Sequence, residues 1–122
     1  MLRFLTDLFK PEAAKPAPST SETSMNFDLA EVPPFLTGLA NNPRFGLPGA
    51  LVTQIAENLS DLPVDQSSRW QIEGSFDGKP ALIEIQAFMD DVDAPDMAFF
   101  GSAEVVAEID RELIAFDQAR EG

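Results

Sequence analysis

The dipeptide Asp77-Gly78 sits between two stretches of alternating polar and apolar residues, and no other feature constrains the fold of this chain as tightly. Asp-Gly favours the two-residue turn that joins antiparallel strands, because both of its central positions take up positive φ readily. A two-residue loop makes Phe76 the partner of Lys79, so residues opposite one another across the hairpin sum to 155. That register sets Ile72 opposite Ile83, Trp70 opposite Ile85 and Gly74 opposite Ala81 on one face. The other face carries Glu73 opposite Leu82, Gln71 opposite Glu84 and Arg69 opposite Gln86. Turn length and hydrophobic pattern specify the same pairing, and a slip by one residue would turn every apolar side chain outward. The strands are expected over about 68–76 and 79–88. Two strands do not stand alone in water, so helices or a third short strand must cover the apolar face.

Helices are at hand on both sides. Pro33-Pro34 suits the first turn of a helix, with Phe35, Leu36 and Leu39 on its buried side and Asn41-Asn42-Pro43 ending it. From Pro48 to about Ser60, Leu51, Val52, Ile55 and Leu59 form a second apolar line, and Pro63 closes the segment. A C-terminal helix over about 102–119 begins at Gly101-Ser102, with Ser102 as N-cap, and Val105, Val106, Ile109, Leu113 and Phe116 are expected to pack on the hairpin. Asn26 to Leu29 alternates in the manner of a short edge strand. The fold class is therefore α+β: an antiparallel hairpin packed by two or three helices.

Ahead of this domain, expected over 25–122, the chain divides in two. Residues 1–10, MLRFLTDLFK, place Leu2, Leu5, Leu8 and Phe9 on one side of a short amphipathic helix, which needs a surface to fold on. Residues 11–24, PEAAKPAPSTSETS, hold three prolines and almost no bulky apolar side chain. Such a composition buries too little surface to offset the entropy of ordering and reads as a flexible linker.

Charge then limits function. Residues 1–24 carry three basic and three acidic side chains and sum to zero. The remaining 98 carry 5 basic and 18 acidic, and 5 − 18 gives the whole net charge of −13. A field of that sign opposes direct nucleic-acid binding and anionic membranes, and steers the domain toward basic surfaces. Histidine, cysteine and tyrosine are all missing. Thiolate and imidazole metal sites, cysteine nucleophiles and the commonest general base go with them. No cofactor is implied, and a cysteine-free chain fits a cytoplasmic location. No apolar run is long enough to span a bilayer, and weak membrane tethering by residues 1–10 is disfavoured by the domain's charge.

Between Lys79 and Arg111 there is no basic residue, and Asp90, Asp91, Asp93 and Asp96 crowd one short stretch. A calcium loop is one reading, but the EF-hand pattern fails because its turn glycine and closing glutamate are missing. A carboxylate-based, metal-dependent enzyme or accessory domain built on 90–96 is the alternative function. The main expectation is a non-enzymatic acidic protein-binding module, an adaptor or inhibitor that docks on a basic protein surface. Its contact residues are expected to be Asp90, Asp91, Asp93 and Asp96, with Glu104 and Glu108 on the exposed side of the last helix. Phe99 and Phe100 are the apolar anchors if exposed, and Leu5 and Phe9 of the tethered segment supply a second contact.

Overall fold

A computed structural model describes residues 21–121 of the chain, with the side chains of residues 21–120. Among the described residues, five strands form one antiparallel sheet. They are β1 (Ser21–Asn26), β2 (Phe45–Gly46), β3 (Ser67–Phe76), β4 (Lys79–Asp91) and β5 (Ala94–Gly101), in the order β1-β5-β4-β3-β2. The same residues form three α-helices: α1 (Val32–Ala40), α2 (Leu51–Ser60) and α3 (Ala103–Glu121). The class is α+β, as the residue pattern requires.

The β3–β4 register runs unbroken from Phe76↔Lys79 to Ser67↔Phe88, with Ile72 opposite Ile83 and Trp70 opposite Ile85. Asp77 and Gly78 take φ of 53° and 81°, the left-handed values that a two-residue hairpin turn needs. On the face carrying Ile72, Ile83 and Ile85, the sheet also buries Met97 and Phe99 from β5. The helices close over that face: α3 lies against β1 and β5, α2 against β3, and α1 touches both other helices. Phe35 of α1 is central to the core, with ring centroids 5.2 Å from Phe27, 5.8 Å from Phe99 and 5.5 Å from Phe116.

Local chemistry explains the helix ends. A single 3-10 turn, Leu29–Glu31, leads into α1; the Asp28 N–H donates to the Glu31 carboxylate at 2.9 Å, and the Glu31 N–H donates back to the Asp28 carbonyl at 2.9 Å. Pro33 and Pro34 occupy the first turn of α1, where no N–H is needed. Ser102 caps α3 as expected, its Oγ accepting from the Val105 N–H at 3.3 Å.

Four expectations change. The linker read over 11–24 ends earlier, because Ser21–Ser24 are the first part of β1 and pair with Gly101–Ala98. A segment of low hydrophobicity can still be ordered where an existing strand supplies every backbone partner, and the composition of 11–24 does not report that. The edge strand sought at Asn26–Leu29 is accordingly β1 itself; Phe27 turns into the core and Leu29 opens the 3-10 turn. Residues 90–96 are not a loop: β4 continues to Asp91, β5 starts at Ala94, and Val92-Asp93 is the turn, with Asp93 at φ 57°. Finally, α3 packs on β1 and β5 rather than on the β3–β4 hairpin, because β5 directly precedes it and α2 occupies the ground above β3. The amphipathic segment 1–10, with Leu5 and Phe9, and the first part of the linker lie outside the described residues.

Candidate functional site

The acidic stretch forms one end of the sheet. Asp90 and Asp91 close β4, Asp93 stands in the turn, and Asp96 follows on β5; all four are exposed. Two further segments reach the same end. The Leu29 N–H donates to the Asp93 carbonyl at 2.8 Å, which brings Asp28 alongside, and the Asp65 N–H donates to the Met89 carbonyl at 2.8 Å. Six carboxylates from separate segments thus surround the hairpin tip. Asp96 accepts from Asn26 Nδ2 at 2.7 Å, but none of the six is ion-paired among the described residues. No group of three or more acidic side chains among the described residues has the geometry to hold a metal ion. A hard cation needs several oxygens converging on one point, and among the described residues these do not.

Other candidates separate into core and surface. Phe99 is fully buried at 0 % exposure and cannot anchor a partner, whereas Phe100, one residue on, lies half-buried on the open face of the sheet. The exposed apolar groups are elsewhere: Val92 in the acidic turn at 70 %, Leu82 at 57 % and Phe88 at 40 % on the open face, Ile114 at 52 % on α3, and Val64 at 41 %. Leu82 was legible as a member of the polar face from the hairpin register. Val92 carried no signal other than its aspartate neighbours. Glu104 is exposed near the start of α3, where its charge suits the helix dipole.

Glu108 has a different role from the one its spacing suggests. It is 8 % exposed, and its carboxylate accepts from Asn42 Nδ2 at 2.9 Å and from a terminal nitrogen of Arg44 at 2.9 Å, with Arg111 Nε at 3.3 Å. Asn42 also donates to Glu112 at 2.8 Å, and its own Oδ1 accepts from the Arg44 N–H at 2.9 Å. Arg44 reaches over the Phe76 ring, 4.6 Å from its centroid, and makes a two-point contact with Asp77 at 2.9 and 2.8 Å. One arginine therefore joins the α1–β2 loop, the β3–β4 turn and α3. The amide of Asn42, followed by Arg44 and Arg111, holds the Glu108 carboxyl below the usual range against the opposing effect of burial. Arg44 likewise lowers Asp77. A general base would need its pKa raised toward neutrality, so this network is suited to holding elements together and not to proton transfer.

Two shallow depressions flank β3. One, of about 430 Å³, lies on the open face and includes Ser67, Arg69, Gln86, Phe88 and Asp96. The other, of about 420 Å³, lies between α2 and the strand and includes Pro48, Leu51, Gln54, Gln71, Glu73 and Leu82. Neither brings together titratable groups with perturbed pKa values. Among the described residues, no helix is long and apolar enough to cross a membrane. Compared with known protein families, with curated proteins and with solved structures, the chain matches none.

Proposed function

We propose that this chain is a non-enzymatic, acidic protein-binding module that docks on a basic surface of another protein, with residues 1–10 as a tethered second contact. The observation that supports this most directly is the arrangement of the hairpin tip: six exposed carboxylates, without an ion-pair partner among the described residues, surround it and form no group of three that could hold a metal ion. Four of the five basic residues between 21 and 121 (Arg44, Arg69, Arg111 and Arg120) are spent on ion pairs within the domain, which leaves the surplus negative charge facing outward. Val92 supplies an apolar group in the middle of that rim, and a buried apolar contact inside a polar rim is how small interfaces gain affinity. Such charge acts mainly on the association rate and on partner choice.

The test is capture of partners from the host by the full chain, in parallel with Asp90→Lys/Asp93→Lys. Binding proteins that are released by salt and lost in the double variant support the reading. Capture of the same set by both chains, indifferent to salt, makes the acidity a solubility feature and sinks it.

A further inference from the structure

The two outer strands of the sheet are treated differently. Along β1, α3 supplies side-chain partners: Thr23 Oγ1 donates to Asp110 at 2.8 Å, and Arg120 donates to the Asn26 carbonyl at 3.3 Å. On the other side, β2 pairs with β3 only at Phe45↔Phe76 and Gly46↔Ser75. Of the ten residues of β3, two are covered, and eight (Ser67 to Gly74) have no neighbouring strand among the described residues. At the rise of an antiparallel strand that is an open edge of about 27 Å.

The direction of its backbone groups follows from the turn. A two-residue loop makes Phe76 and Lys79 a hydrogen-bonded pair, so even-numbered residues of β3 exchange bonds with β4 and odd-numbered ones face away. The Asp77 N–H, which donates outward to the Arg44 carbonyl at 2.8 Å, shows the same parity. Arg69, Gln71 and Glu73 therefore present N–H and C=O groups to the open side, and among the described residues their N–H groups meet no acceptor. This edge carries no proline and no bulge, and its register with β4 is continuous; the charged Arg69 and Glu73 and the start of α2 beside Gln71–Glu73 protect it without pairing with its backbone. Both depressions border it: one crosses the open face from Ser67 and Arg69 to Ala98, and the other lies at the edge itself, between α2 and Gln71, Ile72 and Glu73, within reach of the side chains of an added strand.

We infer that β3 accepts an extended, basic segment of a partner protein as a sixth strand. This rests on the proposed protein-binding role and names the surface and the ligand conformation. Charge selects the occupant. Glu73 lies on the edge itself, and Glu57 of α2 and Asp61 just after it are exposed, whereas Arg69 is within 3.9 Å of Glu84 and partly neutralised. A second copy of the chain would bring another −13 to the same edge. A segment alternating lysine or arginine with β-branched residues adds opposite charge and fills the α2 depression against Leu51.

The probe is a capped octapeptide of alternating lysine and valine, added to the full chain at low salt and followed by amide hydrogen exchange and by Trp70 fluorescence. In the free chain the Arg69, Gln71 and Glu73 amides should exchange fast, and peptide should slow them at least about tenfold, as expected for backbone bonds to a bound strand. Gln71→Pro removes an outward N–H that the fold does not use, and should weaken binding about tenfold or more with the fold retained. Glu73→Lys, which leaves the backbone intact, should weaken the lysine peptide and favour its glutamate counterpart. Protection confined to Asp90–Asp96 would leave the acidic docking role standing and overturn the strand site. No binding anywhere would remove both. Amides 69, 71 and 73 already protected in the free chain would assign the edge to a second copy if protection rises with protein concentration, or to residues 1–20 if it does not. Either result overturns the inference.

Discussion

Reversing the charge at Glu108 separates a structural network from a recognition surface. The substitution Glu108→Lys withdraws an acceptor from Asn42 and from Arg44, both at 2.9 Å, at a site 8 % exposed, and sets an ammonium beside Arg44 and Arg111. Breaking a fully buried pair costs about 3–5 kcal/mol. Both arginines are more than a third exposed, so solvent screens the new repulsion, and about 2–3 kcal/mol is the expected loss. For a domain of this size that lowers the melting midpoint by roughly 10–20 °C. Glu108→Gln retains an acceptor for Asn42 and should lose about 1 kcal/mol at neutral pH. Its pH dependence carries the sign of the effect. The Glu108 pKa is depressed in the fold, so its stabilisation is complete above the ordinary glutamate value near ~4.3 and fades as pH falls through the lower folded value. The gap between the parent chain and Glu108→Gln should therefore close as the solution is acidified. Urea unfolding followed by the single tryptophan measures both effects. A Glu108→Lys chain as stable as the parent, or a gap that stays constant into acid, would return Glu108 to a solvated face.

Three further outcomes follow from the geometry. Ile72→Asp, which puts a carboxylate against Ile83 in the core, should unfold the domain or nearly so, whereas Glu73→Lys on the open face should stay within about 0.5 kcal/mol of the parent in the same urea titration. Asp90→Lys with Asp93→Lys should leave stability unchanged or slightly raised through relief of self-repulsion; a loss of more than about 1 kcal/mol would mean that these carboxylates hold the turn together. Micromolar calcium should not move the melting temperature beyond the effect of matched ionic strength, and a rise of several degrees abolished by Asp91→Asn would show a ligand cage that the described geometry lacks.

What the sequence disclosed depended on whether the cause was local. The β3–β4 register follows from a turn dipeptide and an alternation a few residues long, and α1, α2 and α3 from spacing and caps, so these were legible. Pro95, Met97 and Phe99 alternate as cleanly as the hairpin strands do, yet the aspartates around them favour reading a solvated loop; period two was the signal that β5 offered. The strand β1 gave no such signal, since Ser21–Ser24 are ordered by the backbone of β5 more than 70 residues away. Glu108 was illegible for the same reason. Its four-residue spacing from Glu104 and Glu112 describes one helix, and its burial is decided by Asn42 and Arg44 on a distant loop.

The acidic tip and the open edge meet at one place, which turns two separate proposals into a directional one. Ser67, at the start of β3, pairs with Phe88, and Phe88 pairs with Asp96, so the edge begins where the carboxylates cluster and runs away from them toward Asp77. An added strand has one end beside the tip and the other beside Gly46. Antiparallel pairing is somewhat more stable per residue than parallel, and it places the C-terminal end of the added segment next to Ser67. Strands lie about 4.8 Å apart, so lysines in that half of the peptide come within roughly 10 Å of the end of β4, close to one screening length at physiological salt, while lysines in the other half lie farther along the edge and feel less of that field. Two octapeptides of identical composition, one with its lysines in the C-terminal half and one with them in the N-terminal half, should bind with affinities several-fold apart in favour of the first, and the difference should shrink as salt is raised. The opposite ranking would mean a parallel strand. Equal affinities at every salt concentration would separate the tip from the edge and leave each to be explained alone.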